Sequence, residues 1–150
     1  MAKFKFRLAT LLRLRETTRD GRRAELAEAY RVDDLLRRRF DELSSEIEAA
    51  RGQCRRAAGP GTVDVDRLLE AQRYELTLRS QQGQLEQQRK GVAAEIERRR
   101  ATLVEANREV RVLEKLRDTQ SDRHRQEEDR REIKQLDEVA QRRGAREEVG

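Results

Sequence analysis

Apolar side chains between residues 36 and 57 recur at alternating steps of four and three residues. That spacing keeps one stripe of a helix facing a partner helix, as in coiled coils. A second stripe in the same phase follows between residues 78 and 113. Strand-like alternation is absent, so the pattern predicts an all-α fold. The stripe positions are Leu36, Phe40, Leu43, Ile47, Ala50, Cys54 and Ala57, then Leu78, Leu85, Val92, Ile96, Leu103, Ala106, Val110 and Leu113.

The segment Gly59-Pro60-Gly61 interrupts this helical pattern. Proline lacks the N–H donor that a helix interior needs, and glycine tolerates left-handed backbone angles. We therefore expect a chain reversal and a long antiparallel two-helix coiled-coil hairpin within a single domain, residues 1–150. Arm 1 is predicted over about 5–57, the turn over 58–63 and arm 2 over about 64–143.

Folding the chain about residue 60 pairs position i roughly with position 120 − i. This register predicts that Leu43 lies near Leu76 and Leu78. The start of the second helix is expected to be capped by a carboxylate, from Asp64 or Asp66. The same register places Leu8, Leu11 and Leu12 beside Val110, Val112 and Leu113.

The register also leaves a C-terminal helical overhang from about Lys115 onward. Its seam positions are polar, and a short apolar patch follows them. An isolated helix gives little reason for such a patch, and the seam of arm 1 also becomes polar near its start. We therefore expect the open end of the hairpin to be less stable and to hold the main docking region. The polar seam positions are Arg15, Arg19, Arg22, Arg117, Gln120, His124 and Glu127, and the patch is Ile133, Leu136, Val139 and Ala140.

Composition narrows the possible functions. Only 35% of the 150 residues are hydrophobic and 43% are charged, which argues against a thick globular core. The net charge of +5 is concentrated in residues 1–23, where eight Lys/Arg face two Asp/Glu. Because the remainder nearly cancels, we expect no nucleic-acid partner along the chain. The alternative is a basic-ended coiled coil that binds nucleic acid or an anionic membrane surface.

Catalytic chemistry is not indicated. No glycine cluster has phosphate-binding spacing, and no Ser, Cys or His has an evident triad companion. Cys54 and His124 are the only residues of their types, so we expect no disulfide, no metal, no cofactor and no enzyme activity. No apolar run is long enough for a signal peptide or a membrane span, which favours a cytoplasmic protein.

Three further motifs are distributed along the chain. The first is Phe4-Lys5-Phe6-Arg7-Leu8 followed by Leu11-Leu12-Arg13-Leu14-Arg15 and Glu16. The second is Val63-Asp64-Val65-Asp66 with Leu68, Tyr74 and Leu78. The third is Leu113-Glu114-Lys115-Leu116 with the later stretch Leu136-Asp137-Glu138-Val139-Ala140-Gln141-Arg142-Arg143. In their order and separation these motifs resemble the FliJ family of flagellar export proteins, and the resemblance covers nearly the whole chain.

The resemblance implies a non-enzymatic part of the flagellar type III protein export apparatus, similar to the stalk of a rotary ATPase. Its implied partners are the hexameric export ATPase, the regulator of that ATPase and the membrane export gate. Contact with the membrane is then peripheral, through the gate, at the cytoplasmic face of the inner membrane. The resemblance leaves open whether the chain also escorts export chaperones.

The predicted partner-binding residues fall into three groups. The gate contact is implied by the resemblance, in which an aromatic residue is followed four positions later by an aliphatic one, as at Tyr74 and Leu78. The three groups are Leu8, Leu11, Leu12 and Arg13; Tyr74, Leu78, Gln81 and Leu85; and Ile133, Leu136, Val139 and Ala140.

We expect the free chain to be a monomeric hairpin, and an extended homodimeric coiled coil is the structural alternative.

Overall fold

The computed structural model describes residues 2–150 and contains two α-helices, α1 (Ala9–Ala57) and α2 (Val65–Val149). The two helices run antiparallel and pack against each other, and the described residues contain no strand. The predicted all-α helical hairpin is confirmed. Arg, Glu, Gln, Leu and Ala dominate both helices, and these residues lose little side-chain freedom in a helix.

The connection between the helices occupies residues 58–64. Gly61 has φ of +126°, a left-handed conformation that residues with a side chain rarely adopt. The carboxylate of Asp64 accepts a hydrogen bond from the backbone N–H of Arg67 at 3.3 Å. Of the two predicted capping residues, Asp64 therefore provides the cap of α2.

Contacts group the described residues into two units, one formed by residues up to Asp20 with Glu105–Gly150 and the other by Gly21–Val104. In the second unit, Leu43, Ile47 and Leu78 form a buried cluster against which Leu85 packs. Leu43 is 1% exposed and Leu78 is 2% exposed. The prediction that Leu43 lies near Leu78 is confirmed.

Leu76 was expected in the same place, but its side chain is exposed. Two residues along a helix correspond to a rotation of about 200°, so Leu76 cannot share the face of Leu78. The paired face of α2 is therefore a narrow stripe, and its neighbours along the sequence point to solvent.

In the first unit, Leu12, Val110 and Leu113 form the buried cluster, with Phe6 and Leu11 packed against it. Leu8 and Val112, which were predicted beside these residues, are exposed. Leu8 lies in the turn before α1 begins, so it does not follow the phase of the helix. Val112 is rotated by about 100° from Leu113 and faces away.

The observed register is close to the predicted one, since Tyr74 contacts Glu46, the position expected for it. The arginine pairs are displaced further. Arg15 contacts Glu109 at 2.9 Å, where position 105 was expected, and Arg51 contacts Glu75 at 3.2 Å, where position 69 was expected. Part of the difference arises because the connection is centred on Gly61 and not on residue 60. Long arginine side chains also reach along the partner helix, which increases the difference between the expected and the observed contact positions.

Candidate partner-binding surfaces

The end of α2 is the largest uncovered helical segment among the described residues. Every residue from Asp129 to Gly150 is exposed, and none belongs to either buried cluster. Within it, Ile133, Leu136 and Val139 are exposed apolar residues, with Leu136 69% exposed. We call these three residues together with Ala140 the tail patch. Apolar side chains on one uncovered helix are characteristic of a surface that a partner covers.

The chain start covers part of the helix that was predicted to be unpaired. Residues 2–8, the N-terminal strap, precede α1 and lie against α2. The Nε2 atom of His124 lies 3.0 Å from the carbonyl oxygen of Ala2, and the Phe4 and His124 rings are 5.7 Å apart. The uncovered end therefore begins after Glu128, and the prediction of an overhang from Lys115 was wrong in this respect.

The strap extends the covered region because it is not helical. A helix advances about 1.5 Å per residue, whereas a non-helical chain can advance up to about 3.3 Å, so few residues reach far along α2. The alternation of basic and apolar residues in Lys3-Phe4-Lys5-Phe6-Arg7 is the signal that could have predicted this. Phe4 and Phe6 are partly buried, while the three basic residues are exposed.

The tail patch lies next to the strap around α2. At about 100° per residue, Val139 and Ile133 are rotated about 60° and 180° from His124, which contacts the strap. Asp129, whose direction lies between these two, lines an open pocket together with Phe4 of the strap. A partner that covers the patch would therefore approach α2 beside the strap.

The predicted residues at the start of α1 are divided between core and surface. Leu12 is buried and Leu11 packs against it, so neither offers a free surface while the helices are paired. Arg13 and Leu8 are exposed. The polar seam residue Arg15 binds Glu109 across the seam at 2.9 Å.

The predicted gate-binding residues are also divided between the buried seam and the exposed surface. Leu78 is buried and Leu85 is partly buried, whereas Tyr74 and Gln81 are exposed. The hydroxyl of Tyr74 donates to the carboxylate of Glu46 on α1 at 3.5 Å. Tyr74 and Gln81 are seven residues apart and lie along one edge of the seam, so these two could share one surface.

An open groove of about 720 Å³ lies beside the connection, within the unit formed by Gly21–Val104. Its lining combines Tyr74 with side chains of both charges. The groove extends the accessible surface around Tyr74 towards the connection. The lining residues are Gln53, Arg56, Ala57, Thr62, Asp64, Arg67, Glu70, Ala71 and Tyr74.

A charged cluster joins the helices near this groove. Glu75 accepts hydrogen bonds from Arg79 on its own helix and from Arg51 on α1. These two guanidinium groups lower the pKa of Glu75, and the hydrogen bond from Arg79 has the larger effect. Because the pKa of Glu75 is lowered on folding, its ionised carboxylate stabilises the folded state at neutral pH. This stabilisation is lost as the pH falls through the lowered pKa. Ion pairs near a helix surface contribute little stability.

Among residues 2–150, no group of three or more His, Cys, Asp or Glu side chains is placed to hold a metal ion. None of the helices in this part of the chain combines the length and the apolar character needed to cross a membrane.

The sequence was compared with known protein families, with curated proteins and with solved structures. The sequence matches the family described as "Flagellar FliJ protein" over residues 4–148. No curated protein and no solved structure matches the chain. The family match spans both helices and includes the strap from Phe4 onward and the tail patch.

Proposed function

This chain belongs to the FliJ family and is a component of the flagellar export apparatus, and we propose that it couples the export ATPase to the membrane export gate. The family is non-catalytic, so the chain would act through its contacts. The observation that carries the proposal is the uncovered end of α2, from Asp129 to Gly150, with its exposed tail patch.

The proposed partner of the tail patch is the export ATPase ring. A helix end that enters a ring contacts its subunits unequally, because a single helix has no ring symmetry. Unequal contacts favour one subunit arrangement over another by the difference in binding free energy. A coupler of this kind needs rigid helices and an apolar contact, and it needs no catalytic residue. The regulator of the ATPase is the second expected partner at this end.

The proposed gate contact is the edge of the seam near the connection. Tyr74 and Gln81 are the accessible members of the predicted set, and the open groove extends the surface around Tyr74. Because the gate is in the membrane, the chain would work at the cytoplasmic face of the inner membrane. Escort of export chaperones would need a further surface, and we assign no residues to it.

The direct test is to add the purified, folded chain to its cognate export ATPase and to measure ATP hydrolysis and ring assembly. We expect the chain to raise the hydrolysis rate or to shift the ATPase towards the hexamer. A folded chain that changes neither quantity would contradict the proposal. Heat-denatured protein at the same concentration is the control for non-specific effects.

A further inference from the structure

One face of α2, from Arg125 to Glu147, carries charged residues on both sides of an apolar centre. At about 100° per residue, its members lie within one sector of about 120° around the helix. All of them are exposed. We call this surface the tail stripe, and it consists of Arg125, Asp129, Glu132, Ile133, Leu136, Val139, Ala140, Arg143 and Glu147.

The charges of the stripe have few partners within the chain. Among the described residues, no ion pair within 4.0 Å involves Asp129, Arg143 or Glu147. Arg125 reaches only Asp122, at 3.9 Å. The helices elsewhere are rich in close ion pairs, so the stripe is a surface whose charges remain available to a second molecule.

The order of the charges along the stripe selects a binding direction. From its N-terminal end the stripe reads positive at Arg125, negative at Asp129, apolar around Leu136, positive at Arg143 and negative at Glu147. A second copy aligned in parallel would set each charge against the same charge. An antiparallel copy centred on Leu136 would set every one of these four charges against its opposite.

We propose that two copies of the chain pair through their tail stripes, antiparallel and centred on Leu136. Leu136 then packs on Leu136 of the other copy, and Ile133 packs on Val139. By the twofold symmetry, Asp129 meets Arg143 twice and Arg125 meets Glu147 twice. The remaining acidic residue, Glu132, faces Ala140 and lies within one turn of Arg143.

The pairing is weak and reversible. Three exposed apolar residues on one helix bury less than about 1,200 Å² in total, which places the contact among transient interfaces. Its exposed ion pairs are screened by salt. The free hairpin is therefore monomeric when dilute and pairs when concentrated at low ionic strength. The pairing goes beyond the proposed function, and it engages the same apolar residues, so a paired tail cannot bind the ATPase.

Sedimentation equilibrium of the full chain at low salt, over about a hundredfold range of concentration, tests the proposal. We expect a monomer–dimer equilibrium whose Kd rises about tenfold or more in Arg143→Asp, because two attractive pairs become repulsive. Arg142→Asp makes the same charge change outside the stripe and is expected to pair like the unaltered chain. The double variant Asp129→Arg with Arg143→Asp is expected to recover pairing.

Disulfide trapping tests the direction. Cys54, the only cysteine, is first replaced by serine. In that background Leu136→Cys is expected to cross-link readily under mild oxidation. Ala140→Cys is expected not to, because antiparallel pairing separates the two copies of position 140 by about 12 Å, beyond the reach of a disulfide.

A strictly monomeric chain, equal weakening by Arg143→Asp and Arg142→Asp, or equal cross-linking at positions 136 and 140 would each overturn the proposal. All these measurements use the chain alone. A failure here therefore leaves the ATPase proposal untouched, and a chain that pairs but does not affect the ATPase would contradict only that proposal.

Discussion

Replacing Leu43 by alanine is expected to lower the free energy of unfolding by about 2–4 kcal/mol. Leu43 is 1% exposed and packs against Ile47 and Leu78 in the unit formed by Gly21–Val104. A hairpin of two helices has no third layer that could fill the resulting cavity, so the cost should lie well above that of a surface change. Urea unfolding followed by far-UV circular dichroism measures it.

Leu35→Ala is the matched control for this prediction. Leu35 is on the same helix, is 63% exposed and loses the same atoms on substitution. Its expected effect is within about 0.5 kcal/mol. If Leu43→Ala costs no more than Leu35→Ala, the antiparallel seam described above is not what holds the helices together.

Replacing Leu136 by aspartate is expected to weaken binding to the export ATPase by about tenfold or more. Leu136 is 69% exposed, so the change should leave the fold and its stability intact. A charge at the centre of an apolar contact loses its hydration on binding and gains no partner. Titration of ATPase activation with the variant and with the unaltered chain gives the two apparent affinities.

Val112→Asp is the control for the second prediction. Val112 is on the same helix and is 65% exposed, and the substitution introduces the same charge. It faces a different side of α2 from the tail patch, at about 240° from His124 compared with about 120° for Leu136. Equal losses from Leu136→Asp and Val112→Asp would show that the effect is one of net charge and that the patch is not the contact.

The pairing of the two helices could be predicted from the sequence because it depends on local periodicity. Leu43, Leu78 and Val110 recur with the heptad spacing of a buried seam, and all three are buried. The breaker at Gly59-Pro60-Gly61 fixed the site of reversal. The exact cross-helix contacts were not predicted, because they depend on the geometry of the connection and on how far arginine side chains reach along the partner helix.

The strap was not predicted because it follows a different periodicity over very few residues. Phe4 and Phe6 alternate with basic residues, which is the pattern of a non-helical segment with one covered face. Its contact with His124 joins residues from opposite ends of the chain. The alternation indicates that one face of this segment is covered, but it does not identify the part of the chain that covers it.

The candidate surfaces were predicted in part. The tail patch was expected to be uncovered, and its residues are exposed. The i, i+4 step from Tyr74 to Leu78 had suggested one shared surface, but Leu78 is on the seam and Tyr74 is on its edge. A helical step of four residues does not reveal which of its members the partner helix covers.

The most direct test of the central claim compares ATPase binding by the full chain and by a chain that ends at Glu132. Residues 133–150 are all exposed and contribute to neither buried cluster, so the shortened chain should remain folded with an unchanged unfolding transition. The account predicts that the full chain binds the export ATPase and that the folded, shortened chain does not. Equal binding by both chains would contradict it.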